Sequence, residues 1–406
     1  VLTNFFSIAH PISTDLSINY WSLGLLLFQV PAVAILLSRL IKGPTRKPPI
    51  EPQPATLDLL GKVSVVVPTL NEAERIGPCL AGLTRQSYEV REMIVVDSRS
   101  QDGTAELVKA AGEKDPRFRV ITDDPLPAGW VGRPWALHTG FYHTSDGSEW
   151  FLGMDADTQP SPGLVAGLVA TAEAEGYDLV SLSPQFILKY PGELWLQPAL
   201  LLTLVYRFGP TGTGADTAER VMANGQCFLC RRSVLKQLDG YSSARSSFCD
   251  DVTLARNIAA KGFKVGFWDG AKVLKVRMYE GAAETWREWG RSLDLKDASS
   301  SGQIWGDLWL LLAIQGLPLP ILLGYLFLSP PLALAPSLLL SLLGLNLFLL
   351  AIRFALNFAI APSYDRSQAT AGWMFWLSPL ADPLAVVRIF LSAIQRPTQW
   401  RGRKYE

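Results

Sequence analysis

The sequence predicts an α/β fold, built on a mostly parallel sheet and held between apolar ends that cross a membrane. Three observations predict it. Strand-like and helix-like runs alternate between residues 61 and about 300, the spacing of βαβ units. Acidic residues recur directly after the strand-like runs, at Asp97, Asp123, Asp124, Asp155 and Asp157, where open parallel sheets bind ligands. Of 406 residues, 49% are hydrophobic, and the excess is concentrated at the two ends of the chain.

The N-terminal element is the apolar stretch Ile18 to Ile41, long enough for a bilayer core that needs about 20 residues. It exceeds a signal-peptide core and lacks a small-residue cleavage site, so it reads as an anchor. Arg39, Lys42, Arg46 and Lys47 follow it, which by the positive-inside rule starts the next segment in the cytoplasm. Pro44, Pro48, Pro49, Pro52 and Pro54 then form a stiff linker. The chain begins at Val1 rather than Met, and the sequence leaves its true N-terminus open.

In the alternating region, Val63–Val67 reads as the first strand, followed by a helix from Glu72 to about Arg85. Met93–Val96 is the second strand, Gly103–Ala111 a helix, Phe118–Ile121 a third strand and Trp150–Met154 a fourth. Glu193–Phe208 is apolar but too short to span and is interrupted by Pro198. It reads either as a core helix or, as the flanking anchors favour, as a helix lying in the membrane interface.

Ile304–Leu328 and Leu332–Ile352 read as two spans joined at Ser329-Pro330-Pro331, with Arg353 snorkelling at the inner interface. A third stretch, Gly372–Ile394, carries Pro379, Asp382, Pro383 and Arg388 and precedes a tail with Arg396, Arg401, Arg403 and Lys404. Three full spans would place that basic tail outside, so the third stretch is expected to be interfacial or re-entrant. The chain thus divides into an anchor and linker (1–60), an α/β domain (61–300) and a C-terminal membrane region (301–406).

Formal net charge is zero, 37 basic against 37 acidic residues, which leaves no nucleic-acid footprint. The four cysteines, Cys79, Cys227, Cys230 and Cys249, make neither a secreted disulfide framework nor paired zinc motifs, and Cys227 and Cys230 read as strand core. A reducing, cytosol-facing domain follows. Asp155-Ala156-Asp157 leaves the fourth strand with two carboxylates one residue apart, hard ligands suited to a divalent cation that also holds a diphosphate. A solvated turn is the alternative reading of the triplet taken alone.

The triplet stands in an ordered series. Before it come Pro68-Thr69-Leu70-Asn71-Glu72 and Asp97-Ser98-Arg99-Ser100-Gln101-Asp102-Gly103-Thr104. After it come Arg231-Arg232, Gly240-Tyr241 and Cys249-Asp250-Asp251-Val252-Thr253-Leu254. The series resembles an inverting family 2 glycosyltransferase with the GT-A nucleotide-diphospho-sugar transferase fold, over roughly residues 61–300.

That resemblance implies roles. Pro68, Asn71 and Glu72 line the base and ribose end of the donor, and Asp97 hydrogen-bonds the nucleobase, with a helix cap as its alternative. Asp155 faces ribose and metal, and Asp157 binds the bridging cation, Mg2+ or Mn2+. Arg133 takes a place where relatives often carry Lys, and its guanidinium forks two phosphate oxygens. Asp251 is the candidate base beside Asp250 on the acceptor side, and an ordinary helix cap pair remains its alternative. Processive relatives carry Gln-x-x-Arg-Trp after the base. This chain has Thr285-Trp286-Arg287-Glu288-Trp289, which implies transfer of a single sugar, with Trp286 and Arg287 bordering the acceptor or Trp286 simply anchoring the interface.

A His that some relatives use on the metal is absent, with Lys275 and Arg277 near its place, and His138 is expected on a helix near the donor pocket. Leu126–Gly132, Arg277-Met278-Tyr279 and Trp400-Arg401-Gly402-Arg403 resemble a membrane-embedded subgroup. It includes hopanoid-associated and carotenoid 2'-O-glycosyltransferases and, more distantly, ceramide glucosyltransferases. Trp400, Arg401 and Arg403 would then close over the site as a lid, or serve only as a positive-inside anchor.

The expectation is a multi-pass enzyme of the cell or an internal membrane, its catalytic domain on the cytoplasmic face. It would move one sugar from a nucleotide-diphospho-sugar to a hydroxyl of a lipid-soluble acceptor such as a carotenoid or hopanoid. A polyprenyl-phosphate acceptor is the alternative within the same chemistry, and a transport protein the alternative outside it. Sparse ionisable groups and the lack of an inverted repeat disfavour transport.

Overall fold

The computed structural model describes residues 11–289, 293, 295–328, 336–395, 399–400 and 403–404. Helix α1 (Pro11–Leu40) leads into the α/β region: β1 (Val63–Thr69), α2 (Ile76–Thr84), β2 (Val90–Asp97), α3 (Thr104–Lys114), β3 (Phe118–Thr122), α4 (Gly132–His143) and β4 (Trp150–Met154). It continues as β5 (Thr158–Pro160), α5 (Leu164–Ala174), β6 (Leu179–Ser183), β7 (Gln185–Ile187), α6 (Pro191–Phe208), β8 (Cys227–Arg231) and α7 (Arg232–Gln237). Helix α8 (Asp250–Ala260), β9 (Val265–Asp269), β10 (Leu274–Val276) and α9 (Gly281–Glu284) close it.

The main sheet has seven strands in the order β3-β2-β1-β4-β8-β6-β9, antiparallel only where β8 meets β4 and β6. The expected α/β architecture with a mostly parallel sheet is therefore the one found. Alternation along the buried strands supplies two cores. Val65, Val67 and Leu152 face α2 and α5 through Leu83 and Leu168, while Val66, Ile94 and Phe151 face α4 and α8 through Leu137 and Leu254.

Helix α2 starts at Ile76 rather than Glu72. The β2–α3 loop takes the intervening N–H groups: Asn71 N donates to Ser100 Oγ at 2.9 Å, Glu72 N to Thr104 Oγ1 at 2.9 Å and Ala73 N to Asp102 Oδ2 at 2.8 Å. Side chains thus outcompete a first helical turn there. The Pro-rich segment is no free linker. Lys47, Ile50 and Gln53 donate backbone N–H bonds to Gly212, Asp269 and Gly163, strapping it along the domain. A Cβ on Gly167 would stand 2.3 Å from the Glu51 carbonyl oxygen, so the strap needs a glycine beneath it.

The C-terminal region contains α10 (Ser301–Leu311), a π-helical turn at Leu312–Gly316, α11 (Pro318–Leu328) and α12 (Ser337–Ile360). It ends with β11 (Tyr364–Asp365), a 3-10 stretch Gly372–Ala381, α13 (Asp382–Ile394) and the hairpin β12 (Gln399–Trp400)–β13 (Arg403–Lys404). Among the described residues, three helices are long and apolar enough to cross a membrane: Asn19–Thr45, Ser337–Ser363 and Gly372–Ile394. The expected straight span over Ile304–Leu328 is instead a pair, Ser301–Gly316 and Pro318–Phe327, bent by 40°. The π-turn and the missing N–H of Pro318 supply the break. The expected turn at Ser329-Pro330-Pro331 lies outside the described residues.

Two expectations are corrected in this region. Helix α6 does not lie flat on an interface: Leu194, Leu200, Leu202 and Tyr206 are buried, packed with α1, α10, α12 and α13 in a third core. Arg353 does not snorkel. It is 2% exposed, with Nε 2.6 Å from Asp382 Oδ2, Nη1 2.5 Å from Asn357 Oδ1 and Nη2 3.2 Å from Ser378 Oγ. The Gly372–Ile394 segment folds back on α12 and brings the counter-charge to it, so the guanidinium has no need to reach water.

Candidate active site

Four chain segments meet at the carboxyl edge of the sheet. Strand β1 ends at Pro68 and Thr69, and β4 runs into the Asp155–Asp157 turn, closed by Thr158 Oγ1 on the Asp155 carbonyl at 2.7 Å. The Gly225-Gln226 segment enters β8, and α8 opens with Asp250 and Asp251. A cavity of about 1160 Å³ runs between them, lined by Pro68, Glu72, Arg133, Asp155, Asp157, Asp250 and Asp251. The same cavity continues to an apolar wall made by Leu40 of α1, Leu201, Leu204 and Val205 of α6, and Leu356, Ala359 and Ile360 of α12.

Arg133, near the start of α4, ties the polar end together. Its Nε and Nη2 donate to Asp155 Oδ1 at 3.0 and 2.8 Å, its Nη1 to Asp250 Oδ2 at 2.5 Å and its Nη2 to the Gly225 carbonyl at 2.9 Å. Asp251 turns the other way: its Oδ2 accepts from Gly225 N at 2.6 Å and its Oδ1 from Val252 N at 2.9 Å. Gly225 therefore sits between guanidinium and carboxylate, and a Cβ there would lie 2.2 Å from Arg133 Nη2.

Burial pushes the Asp250 carboxyl up to about 7, with Asp251 adding to the rise and Arg133 opposing it. Burial raises Asp251 too, against the pull of Arg133 and of its two backbone N–H donors. Because the folded state holds the Asp250 proton more tightly than its ordinary value of 3.8, this residue's contribution to stability falls as pH rises from there towards about 7. Such strain is expected where a carboxylate is kept for chemistry.

Several expected site residues lie elsewhere. Asn71 and Asp97 are not on the cavity wall. Asn71 Oδ1 accepts Gln101 N at 2.8 Å, and Asp97 accepts Ser100 Oγ and N at 2.6 and 3.0 Å, so both hold the β2–α3 loop. Trp286 packs in the membrane-side core under Arg388, while Arg287 does reach the wall, 70% exposed beside Glu288. His138 is on α4 but stacks on Trp135 and packs at a tilt against Trp130, away from the cavity. Lys275 and Arg277 pair with Asp365 and Glu193. In the tail, Trp400 pairs with Arg403 in the β12–β13 hairpin; Arg401 and the side chains of this tail lie outside the described residues. The four cysteines are buried and form no disulfide, as core residues.

Sequence reasoning missed Arg75 and Glu284, which face the cavity as an ion pair at 3.2 Å. Nothing in their spacing flags them, because one follows β1 and the other precedes the membrane region. Among the described residues no three His, Cys, Asp or Glu side chains converge on one point. Asp155 and Asp157 instead offer two carboxylates from one turn, a donor set that fits a hard cation taking its remaining oxygens from phosphate and water.

Residues 64–239 match the family model described as glycosyl transferase family 2. The chain carries a family 2 glycosyltransferase domain. Over 243 residues it is 26% identical to 4,4'-diaponeurosporenoate glycosyltransferase of Staphylococcus haemolyticus, covering 60% of this chain and 64% of that one. It is 32% identical over 126 residues to glycosyltransferase AglE of Haloferax volcanii (30% of this chain, 40% of the relative). It is also 32% identical over 132 residues to undecaprenyl-phosphate 4-deoxy-4-formamido-L-arabinose transferase of Proteus mirabilis (31% and 38%). The chain thus spans between about two fifths and just under two thirds of the length of these curated relatives. Among solved structures, a mannosyltransferase from Pyrobaculum calidifontis in complex with GDP-Man and Mn2+ aligns over 94% of this chain and 96% of that one. The identity is 19% and the TM-score 0.46.

Proposed function

We propose that the protein is a membrane-bound, inverting glycosyltransferase that moves one sugar from a nucleotide-diphospho-sugar to a hydroxyl of a lipid-soluble acceptor, a terpenoid such as a carotenoid or hopanoid. The observation that carries this reading is the single cavity joining the carboxylates of the sheet edge to an apolar wall of α1, α6 and α12. A water-soluble acceptor has no use for that wall. Two of the relatives are named for a carotenoid-type and a polyprenyl-phosphate acceptor.

In this reading Pro68 and Glu72 border the nucleoside end of the donor, and Asp155 and Asp157 hold a divalent cation. The cation would neutralise the leaving diphosphate. Asp251 takes the proton from the acceptor hydroxyl as the glycosyl–phosphate bond breaks, in one in-line displacement that inverts the anomeric carbon. Arg133 bridges Asp155 and Asp250 and, through Gly225, fixes the orientation of Asp251. Gly225→Ala is therefore expected to lower kcat/KM about ten- to a hundred-fold. Losing charged hydrogen bonds costs about 1.5–3 kcal/mol, and steady-state kinetics with a folded variant would check it.

The experiment for the function itself is to incubate membranes carrying the protein with a panel of nucleotide sugars and to identify glycosylated lipids by mass spectrometry. Transfer to a neutral terpenoid hydroxyl supports the reading. Turnover confined to water-soluble acceptors overturns it.

The catalytic domain is proposed to face the cytoplasm, with Gly372–Ile394 dipping into that leaflet without crossing it. Both flanks of the segment bind the domain: Thr370 N donates to the Lys189 carbonyl at 2.9 Å, and Lys296 Nζ to the Ser392 carbonyl at 2.7 Å. Its exposed residues Trp373, Leu377, Leu380, Leu384 and Val387 recur at helical spacing, as a lipid-facing stripe does. All four native cysteines are buried, so cysteines introduced at Ser367, Gln395 and, as reference, Glu113 can be labelled selectively. A membrane-impermeant thiol reagent is expected to reach all three from the same side. Opposite-side labelling of positions 367 and 395 would refute the re-entrant placement.

A further inference from the structure

The proposed transfer places the moving sugar between two groups on the cavity wall. One is the Asp155–Asp157 turn, which holds the leaving diphosphate through its cation, and the other is Asp251, which takes the acceptor proton. The segment Asn224-Gly225-Gln226 spans this gap and lines the cavity. Gly225 N donates to Asp251 Oδ2 at 2.6 Å, and the Gln226 carbonyl accepts Asp155 N at 3.3 Å. Arg133 crosses the same gap, its Nη2 reaching both Asp155 Oδ1 and the Gly225 carbonyl.

Gln226 is 4% exposed, and its amide is held in one orientation. The Gln226 backbone N–H donates to Asn224 Oδ1 at 2.9 Å, so Asn224 Nδ2 is the atom that donates to Gln226 Oε1, at 3.1 Å. Asn224 is fixed in turn. Its backbone N–H donates to Ser181 Oγ at 2.7 Å, and its carbonyl accepts from that hydroxyl at 2.8 Å. A backbone N–H only donates, which sets both amides and leaves Gln226 Nε2 at the far end. Among the described residues no group accepts from Nε2, and protein atoms do not enclose it, so it opens on the cavity. Burying an amide donor costs free energy, which an acceptor arriving in the cavity offsets. The neighbouring charges of Arg133, Asp155 and Asp251 suit phosphate, cation and proton. A neutral donor in the gap between them suits a sugar hydroxyl, and a site built to hydrogen-bond a hydroxyl rejects the analogue that lacks it.

We propose that Gln226 Nε2 donates to one hydroxyl of the transferred sugar and selects the donor by that hydroxyl, with Asn224 as the positioning residue that aims the amide. The inference rests on the transferase reading of the cavity and adds to it the side chain that reads the sugar.

The test is equilibrium binding to the full chain in neutral detergent with Mn2+. The probes are UDP, GDP, UDP-glucose, UDP-galactose, UDP-N-acetylglucosamine and GDP-mannose. For the sugar donor that the wild type binds most tightly, the affinity is taken relative to that of its own bare nucleotide. Gln226→Met should lower this ratio about three- to ten-fold, the size of one neutral hydrogen bond, and leave affinity for the bare nucleotide unchanged. Monodeoxy analogues of the same donor give a second measurement. One of them should bind the wild type about three- to ten-fold more weakly than the parent sugar donor, and bind Gln226→Met as tightly as the parent does. A ratio unchanged in Gln226→Met overturns the inference alone. So does a bare nucleotide weakened as much as the sugar donor, or a set of analogues in which every loss persists in the variant. A wild type that binds none of the sugar donors overturns the transferase reading, and the inference falls with it.

Discussion

Asp251→Asn is expected to lower kcat by about 10²- to 10⁴-fold, the usual worth of a positioned general base. Geometry argues that this loss would be chemical rather than structural. Asp251 accepts only two backbone N–H bonds, from Gly225 and Val252, and an Asn amide keeps one of them. The one bond lost, to a charged carboxylate, contributes about 1.5–3 kcal/mol, whereas a 10²- to 10⁴-fold fall corresponds to about 3–5 kcal/mol of barrier.

The pH profile supplies a second readout. Burial raises the Asp251 carboxyl, and the base must be ionised to act. In the wild type, kcat/KM should therefore fall as pH drops through a value above the ordinary carboxylate range near 4, and Asp251→Asn should lose that limb. Donor affinity should stay unchanged, because Asp155 and Asp157 are untouched. An Asn variant with wild-type turnover would mean that the acceptor arrives already ionised, as a polyprenyl phosphate does. Asp157→Ala should abolish transfer in either case while leaving membrane insertion intact.

Asp382→Leu is expected to destabilise the membrane region by about 3–5 kcal/mol, the cost of leaving one member of a buried ion pair uncompensated. Arg353 is 2% exposed and Asp382 4%, so water cannot substitute for the missing partner. The reciprocal change, Arg353→Leu, should cost less. A stranded carboxylate can be neutralised by a proton and keeps the Gln315 contact at 3.1 Å, whereas a stranded guanidinium stays charged. The double variant Arg353→Leu/Asp382→Leu should recover most of the loss, because replacing both charges with apolar groups removes the desolvation penalty as well as the attraction. Thermal melting of the three variants in one detergent gives the order directly. A double variant no more stable than Asp382→Leu would argue that the network matters for more than charge compensation.

The α/β order was legible because burial on both faces leaves a simple trace: short apolar runs such as Met93–Val96 and Trp150–Met154, each followed directly by an Asp. Helix boundaries were less legible. Glu72 sits in a good helical pattern, yet Ser100, Asp102 and Thr104 on a neighbouring loop claim the N–H groups that a helix start would leave open. A contact thirty residues away in sequence decides the boundary, and local periodicity does not register it.

The same holds within the site. Asp155, Asp157, Arg133, Asp250 and Asp251 stand out in the chain because charged residues at strand ends and helix starts are conspicuous, and the fold brings them to one cavity. Asn71 and Asp97 look equivalent in sequence but are held by the loop they stabilise. Gly225 and Arg75 carry no sequence mark at all.

By itself the sequence determined the α/β class, the apolar ends and the acidic edge of the sheet, because each is written in local hydrophobic period and residue type. Only the tertiary structure decided that Arg353 turns inward to Asp382, that α6 is core, and that one cavity runs from Asp157 to Ile360. Those depend on which distant charge or apolar surface the chain folds against, and short-range pattern carries no record of partners so far apart.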